Sequence, residues 1–66
     1  MKPDYRTMKV GEVKPMPALN EWTGANQDLY YEIQGYCLSI EPHPQFEVRT
    51  KRISRDKVEY WLYRTR

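Results

Sequence analysis

The chain has 66 residues and a formal net charge of +2; 39% of its residues are apolar, 14% aromatic and 30% charged. That length holds one small domain (residues 1–66) and excludes a multidomain enzyme or a repeat array. The chain is too apolar and aromatic for a disordered tail, yet its core must be thin, which leaves room for a partner to complete it.

Residues 1–7 read as a flexible N-terminus. Met1-Lys2-Pro3-Asp4-Tyr5 has no apolar stretch behind it, so no secretory signal is expected. Met8, Val10 and Val13 mark an extended segment that supplies a first strand. Pro15 and Pro17 then end regular pairing, because neither donates a ladder hydrogen bond. Residues 14–23 are accordingly a Pro-rich loop, with Trp22 plugging the core.

Leu29, Ile33, Tyr36, Cys37 and Ile40 recur at helical spacing and predict one helix over 25–40. Thr23 or Gly24 starts it, and Gln27 stands in position for a capping contact. Asp28 and Glu32 suit the helix dipole, and Pro42 ends the run. Gly35 costs about 1 kcal/mol in a helix interior; it either admits a close neighbour or is simply tolerated. Tyr31 and Leu38 lie away from the apolar stripe, near Gln27 and Gln34, and offer a seat for a second copy in a homodimer.

Residues 45–64 read as a β-hairpin, with strands at 45–53 and 58–64. Phe46, Val48 and Thr50 share one face, as do Val58, Tyr60 and Leu62. Bringing these faces together excludes a four-residue loop and favours three or five residues. A five-residue loop, 53–57, sets Val48 opposite Leu62, Thr50 opposite Tyr60, and Arg49 opposite Trp61 within cation–π reach. The predicted fold is α+β: a β-α-β-β domain, with a two- to three-stranded, mainly antiparallel sheet and one helix packed on one face.

Charge is segregated: residues 1–19 carry +2, residues 20–47 carry −5 and residues 48–66 carry +5. Such a dipole steers polyanions. With the helix behind the sheet, the open face shows Arg49, Lys51, Trp61 and Tyr63. Arg52, Arg55 and Lys57 stand at the tip and Arg64 at the end of the last strand. Cations neutralise phosphates and flat rings stack on bases. These eight residues form the expected nucleic-acid site, with DNA as the expected ligand. The alternative is a protein-binding or inhibitory accessory factor that acts through the acidic helix or by oligomerisation.

No enzyme is expected. Cys37 belongs to the buried stripe, where a thiol is inert, and His43 has no assignable partner between two prolines. No metal or cofactor is expected, since one Cys and one His give no metal-ligand spacing. The lone cysteine suits the reducing cytoplasm, the expected location, and no apolar run is long enough to span a membrane.

Three stretches carry a family resemblance: Met8-Lys9-Val10-Gly11-Glu12, Phe46-Glu47-Val48-Arg49-Thr50-Lys51-Arg52, and Val58-Glu59-Tyr60-Trp61-Leu62-Tyr63-Arg64. Through them the chain resembles small phage-encoded β-α-β-β proteins that act as DNA-associated accessory factors. The resemblance implies the same fold and a DNA-linked role in a host cytoplasm, and it brings no catalytic residues. The chain departs from that pattern in lacking glycine in its final turn, in having Leu62-Tyr63 rather than arginine directly after Trp61, and in its acidic helix.

Overall fold

The computed structural model describes residues 2–66, and the alternating side chains of its last third build the sheet. Strands β2 (Phe46–Ser54) and β3 (Lys57–Arg64) form an antiparallel hairpin. Val48 stands opposite Leu62, Arg49 opposite Trp61 and Thr50 opposite Tyr60, the register that the apolar alternation demands. The loop differs from the expected 53–57. The chain turns tightly at Arg55–Asp56, with Ser54 opposite Lys57, and the ladder shifts between Arg52 and Ser54. This bulge absorbs the odd residue, so both strands run to the tip without exchanging faces.

The first strand is shorter and later than the sequence suggests. Strand β1 (Val13–Pro15) pairs antiparallel with β3, Lys14 opposite Leu62 and Pro15 opposite Trp61. Pro15 therefore sits in a strand, not in a loop beginning at residue 14. The sheet order is β1-β3-β2, so β1 is an outer strand. Glu12 and Met16 make the bonds to β3: Arg64 N–H donates to Glu12 O, and Met16 N–H to Tyr60 O, both at 3.1 Å. Pro15 lies at an outward-facing position between such bonds, where its missing N–H is harmless. Upstream, residues 10–11 turn rather than extend, with Gly11 at φ 87°.

Helix α1 (Gly24–Ser39) carries the chain from the β1 edge to the β2 edge and begins and ends one residue earlier than expected. Ile40 has left the helix with extended backbone. Leu29 and Ile33 are buried with Leu62, Met16, Met8 and Tyr5, and Tyr36, Cys37, Phe46, Val48 and Tyr60 pack around them. The terminus expected to be flexible contributes to this core. Tyr5–Thr7 form a 3-10 turn, and the buried Tyr5 ring meets Tyr36 edge-on at 5.2 Å; Met1 lies outside the described residues. Trp22 is not a core plug. It lies half-exposed against the Tyr60 ring at 5.4 Å, and its Nε1 donates to Gln27 Oε1 at 2.9 Å. Gln27 thus braces Trp22 rather than the helix start. Among the described residues nothing lies within 4 Å of the Cβ position of Gly35, so that glycine is tolerated rather than required.

Candidate nucleic-acid interface

Strand alternation places Glu47, Arg49 and Lys51 of β2 beside Glu59, Trp61 and Tyr63 of β3, with Val13 and Pro15 of β1 on the same side. The buried Leu62 points the other way, toward α1. Arg49 and Lys51 are exposed, and Trp61 and Tyr63 are half-buried by cross-strand neighbours. Four of the eight expected site residues therefore share one open face.

The centre of this face is electrically balanced. Glu47 pairs with Arg49 at 3.1 Å, and this bond raises the guanidinium above its usual range. The Arg49 guanidinium lies 4.4 Å from the Tyr63 ring centre, diagonally across the strands, instead of on Trp61 directly opposite. Long side chains reach such diagonal neighbours easily. Trp61 is engaged elsewhere: its Nε1 donates to Glu59 Oε1 at 3.1 Å.

The positive excess lies at the hairpin tip. Residues 51–57 are all exposed, and Lys51, Arg52, Arg55 and Lys57 form no ion pair among the described residues. Asp56 is the one carboxylate of that stretch. Arg52 is held in part by a long 3.4 Å hydrogen bond to Arg55 O.

Arg64 does not join the cluster. Its even-numbered position turns it to the helix side of the sheet. There its guanidinium donates to Met8 O and to Arg66 O and lies 6.0 Å from the Phe46 ring centre. It ties the N-terminal segment to β3.

Cys37 and His43 are both committed to structure. Burial pushes the Cys37 thiol up, an effect that Arg64 only partly opposes. His43 has partners that the sequence did not reveal: its Nδ1 lies 2.8 Å from Cys37 O and 2.7 Å from Ile40 O. Two carbonyl neighbours place the hydrogen on Nδ1, so the ring donates to carbonyls where α1 ends, while its Nε2 lies 3.4 Å from Glu41 Oε1. Among the described residues no three His, Cys, Asp or Glu side chains gather into a possible metal site, and no helix is long and apolar enough to cross a membrane.

On α1 the acidic face is partly neutralised. Lys2 Nζ lies 2.7 Å from Glu32 Oε1, and that bond, with help from Tyr5, holds the carboxyl below its usual range. Tyr31 and Leu38 are both exposed, but it is Tyr30 that lines a groove with Leu38. No known protein family, curated protein or solved structure matches the chain. These comparisons lend no support to the resemblance to phage accessory proteins.

Proposed function

We propose that this chain is a small, non-enzymatic nucleic-acid-binding protein that engages DNA through the β2–β3 hairpin. The observation that carries the reading is the exposed tip, where Lys51, Arg52, Arg55 and Lys57 lack carboxylate partners among the described residues. Free cations release counterions from a phosphate backbone, whereas an arginine already paired, as Arg49 is with Glu47, contributes less. A two-stranded ribbon enters the DNA major groove, about 12 Å wide, while the deep, narrow groove of duplex RNA excludes it. In this arrangement the tip grips phosphates and the rings of Trp61 and Tyr63, farther down the ribbon, rest against sugar or base edges.

The test is a salt titration of binding to duplex DNA and duplex RNA. If the four tip cations each meet a phosphate, log K against log salt falls with a slope of about −3 to −4. Replacing Lys51, Arg55 and Lys57 with alanine lowers that slope by about 2 to 3. Absence of binding at low salt, or an unchanged slope in the triple variant, overturns the proposal.

A further inference from the structure

Strand β2 is an outer strand over its whole length, and its unused backbone groups can be assigned. On β3, Tyr60 and Arg64 bond to β1 through Met16 and Glu12. Antiparallel alternation then gives Glu59, Trp61 and Tyr63 to β2, where they meet Lys51, Arg49 and Glu47. The N–H and C=O groups of Phe46, Val48 and Thr50 consequently point off the free edge. Beside that edge, on the helix side, lies an open groove of about 650 Å³. Tyr30, Ile33, Cys37 and Leu38 of α1 line one wall, and Phe46 and Val48 the other. Leu38 is 75% exposed there.

We infer that a second copy of the chain occupies this edge: β2 pairs antiparallel with β2 about a two-fold axis at Val48, giving a continuous six-stranded sheet. Charge selects this register. With Val48 opposite Val48 of the second copy, Glu47 faces the second copy's Arg49, and the symmetric pair repeats the contact. Phe46 faces Thr50 on the helix side. Moving the axis one residue toward the N-terminus sets Glu47 against Glu47, and one residue the other way sets Arg49 against Arg49. Like charges directly opposite destabilise a strand pair and opposite charges favour it. The mixed-sign edge therefore rejects its nearest alternatives, as an exposed edge must. The backbone agrees, because all outward groups meet outward groups in this register: Val48 bonds Val48, and Phe46 bonds Thr50. The symmetry also brings the two grooves together. The helix row Tyr30, Gln34 and Leu38, at spacing i, i+4, i+8, then faces its own copy and shields the apolar walls.

Four measurements on the full chain without nucleic acid test this, so their outcome is separate from that of the DNA proposal. The mass by sedimentation equilibrium is expected at twice 8.0 kDa. Amide protons of Phe46, Val48 and Thr50, which face solvent in a lone chain, are expected to exchange slowly. Glu47→Arg and Arg49→Glu are each expected to weaken self-association by about tenfold or more, and the two combined to restore it. Thr50→Pro removes one outward N–H at an exposed position where proline spares the β3 ladder, and is expected to weaken the dimer too. A single-chain mass up to about 1 mM overturns the inference. So does a dimer that is indifferent to both single reversals and to Thr50→Pro.

Discussion

Asn26 grips the backbone of Ala18 from both sides: its Oδ1 accepts from the Ala18 N–H at 2.8 Å, and its Nδ2 donates to the Ala18 carbonyl at 2.9 Å. The same Nδ2 also lies 3.2 Å from Glu21 O. Asn26 is fully buried, and this one amide fastens the loop after β1 to the first turn of α1.

Asn26→Ala strands those loop groups without partners in the interior. Each unmatched buried group costs about 1–3 kcal/mol. The expected loss is about 2–4 kcal/mol, a fall in Tm of about 15–30 °C for a chain this size. Thermal denaturation followed by circular dichroism measures it, and an unchanged Tm would show that the loop is held by its apolar contacts instead.

Gly35→Ala is expected to act in the opposite direction. Among the described residues a Cβ at this position meets nothing within 4 Å, and the helix continues on both sides. Alanine should add about 0.5–1 kcal/mol by restricting the unfolded chain. Urea unfolding of the two proteins compares them directly.

Arg64→Ala separates stability from binding. Arg64 bonds Met8 O on the helix side of the sheet, away from Trp61 and Tyr63. Its removal is expected to cost about 1–3 kcal/mol of stability. The folded variant should keep its DNA affinity within about twofold, because no phosphate contact is lost. A large loss of salt-dependent affinity would move Arg64 back into the interface.

The Lys2–Glu32 pair predicts a pH dependence. Lys2 lowers the folded-state pKa of Glu32, so the pair contributes stability above the carboxyl's unfolded pKa and loses it as pH falls through the depressed folded value. Both groups are substantially exposed, which limits the gain to about 0–1 kcal/mol. Lys2→Ala should flatten the acid limb of a stability–pH curve, and 1 M salt should have nearly the same effect.

Tyr5→Phe is expected to leave the fold intact and, by urea unfolding, to change stability by no more than about 1 kcal/mol. The Tyr5 hydroxyl is buried and makes no hydrogen bond among the described residues, although it lies near enough to Glu32 to help lower that carboxyl's pKa. Its ring, by contrast, packs against Tyr36 and Phe46 and must be kept.

The hairpin register was legible because period-two alternation leaves few ways to bury Val48 with Leu62. The same parity put Trp61 and Tyr63 on the open face, and it equally shows that Arg64 belongs to the other side. Its place in a basic cluster came from proximity in sequence. The two-residue turn is not legible in the sequence, because a bulge at Ile53 has no compositional mark. Nor is β1, because proline signals a break in pairing, whereas an outer strand accepts it at alternate positions. Asn26 and Tyr5 are not legible because their partners are backbone groups or rings that no spacing rule points to; His43 is not legible because the local carbonyls of Cys37 and Ile40 are turned toward it only where the helix ends.

The order of the strands has a kinetic consequence. Among the described residues β1 pairs with β3 alone, and Val13 meets Tyr63, far along the chain. The hairpin closes locally, but the opening segment has no sheet to join until the last strand exists. Shortening the C-terminus through β3 would therefore take away the sheet partner of β1 as well, and the opening segment would be left with its contacts to α1, such as Tyr5 on Tyr36 and Lys2 on Glu32.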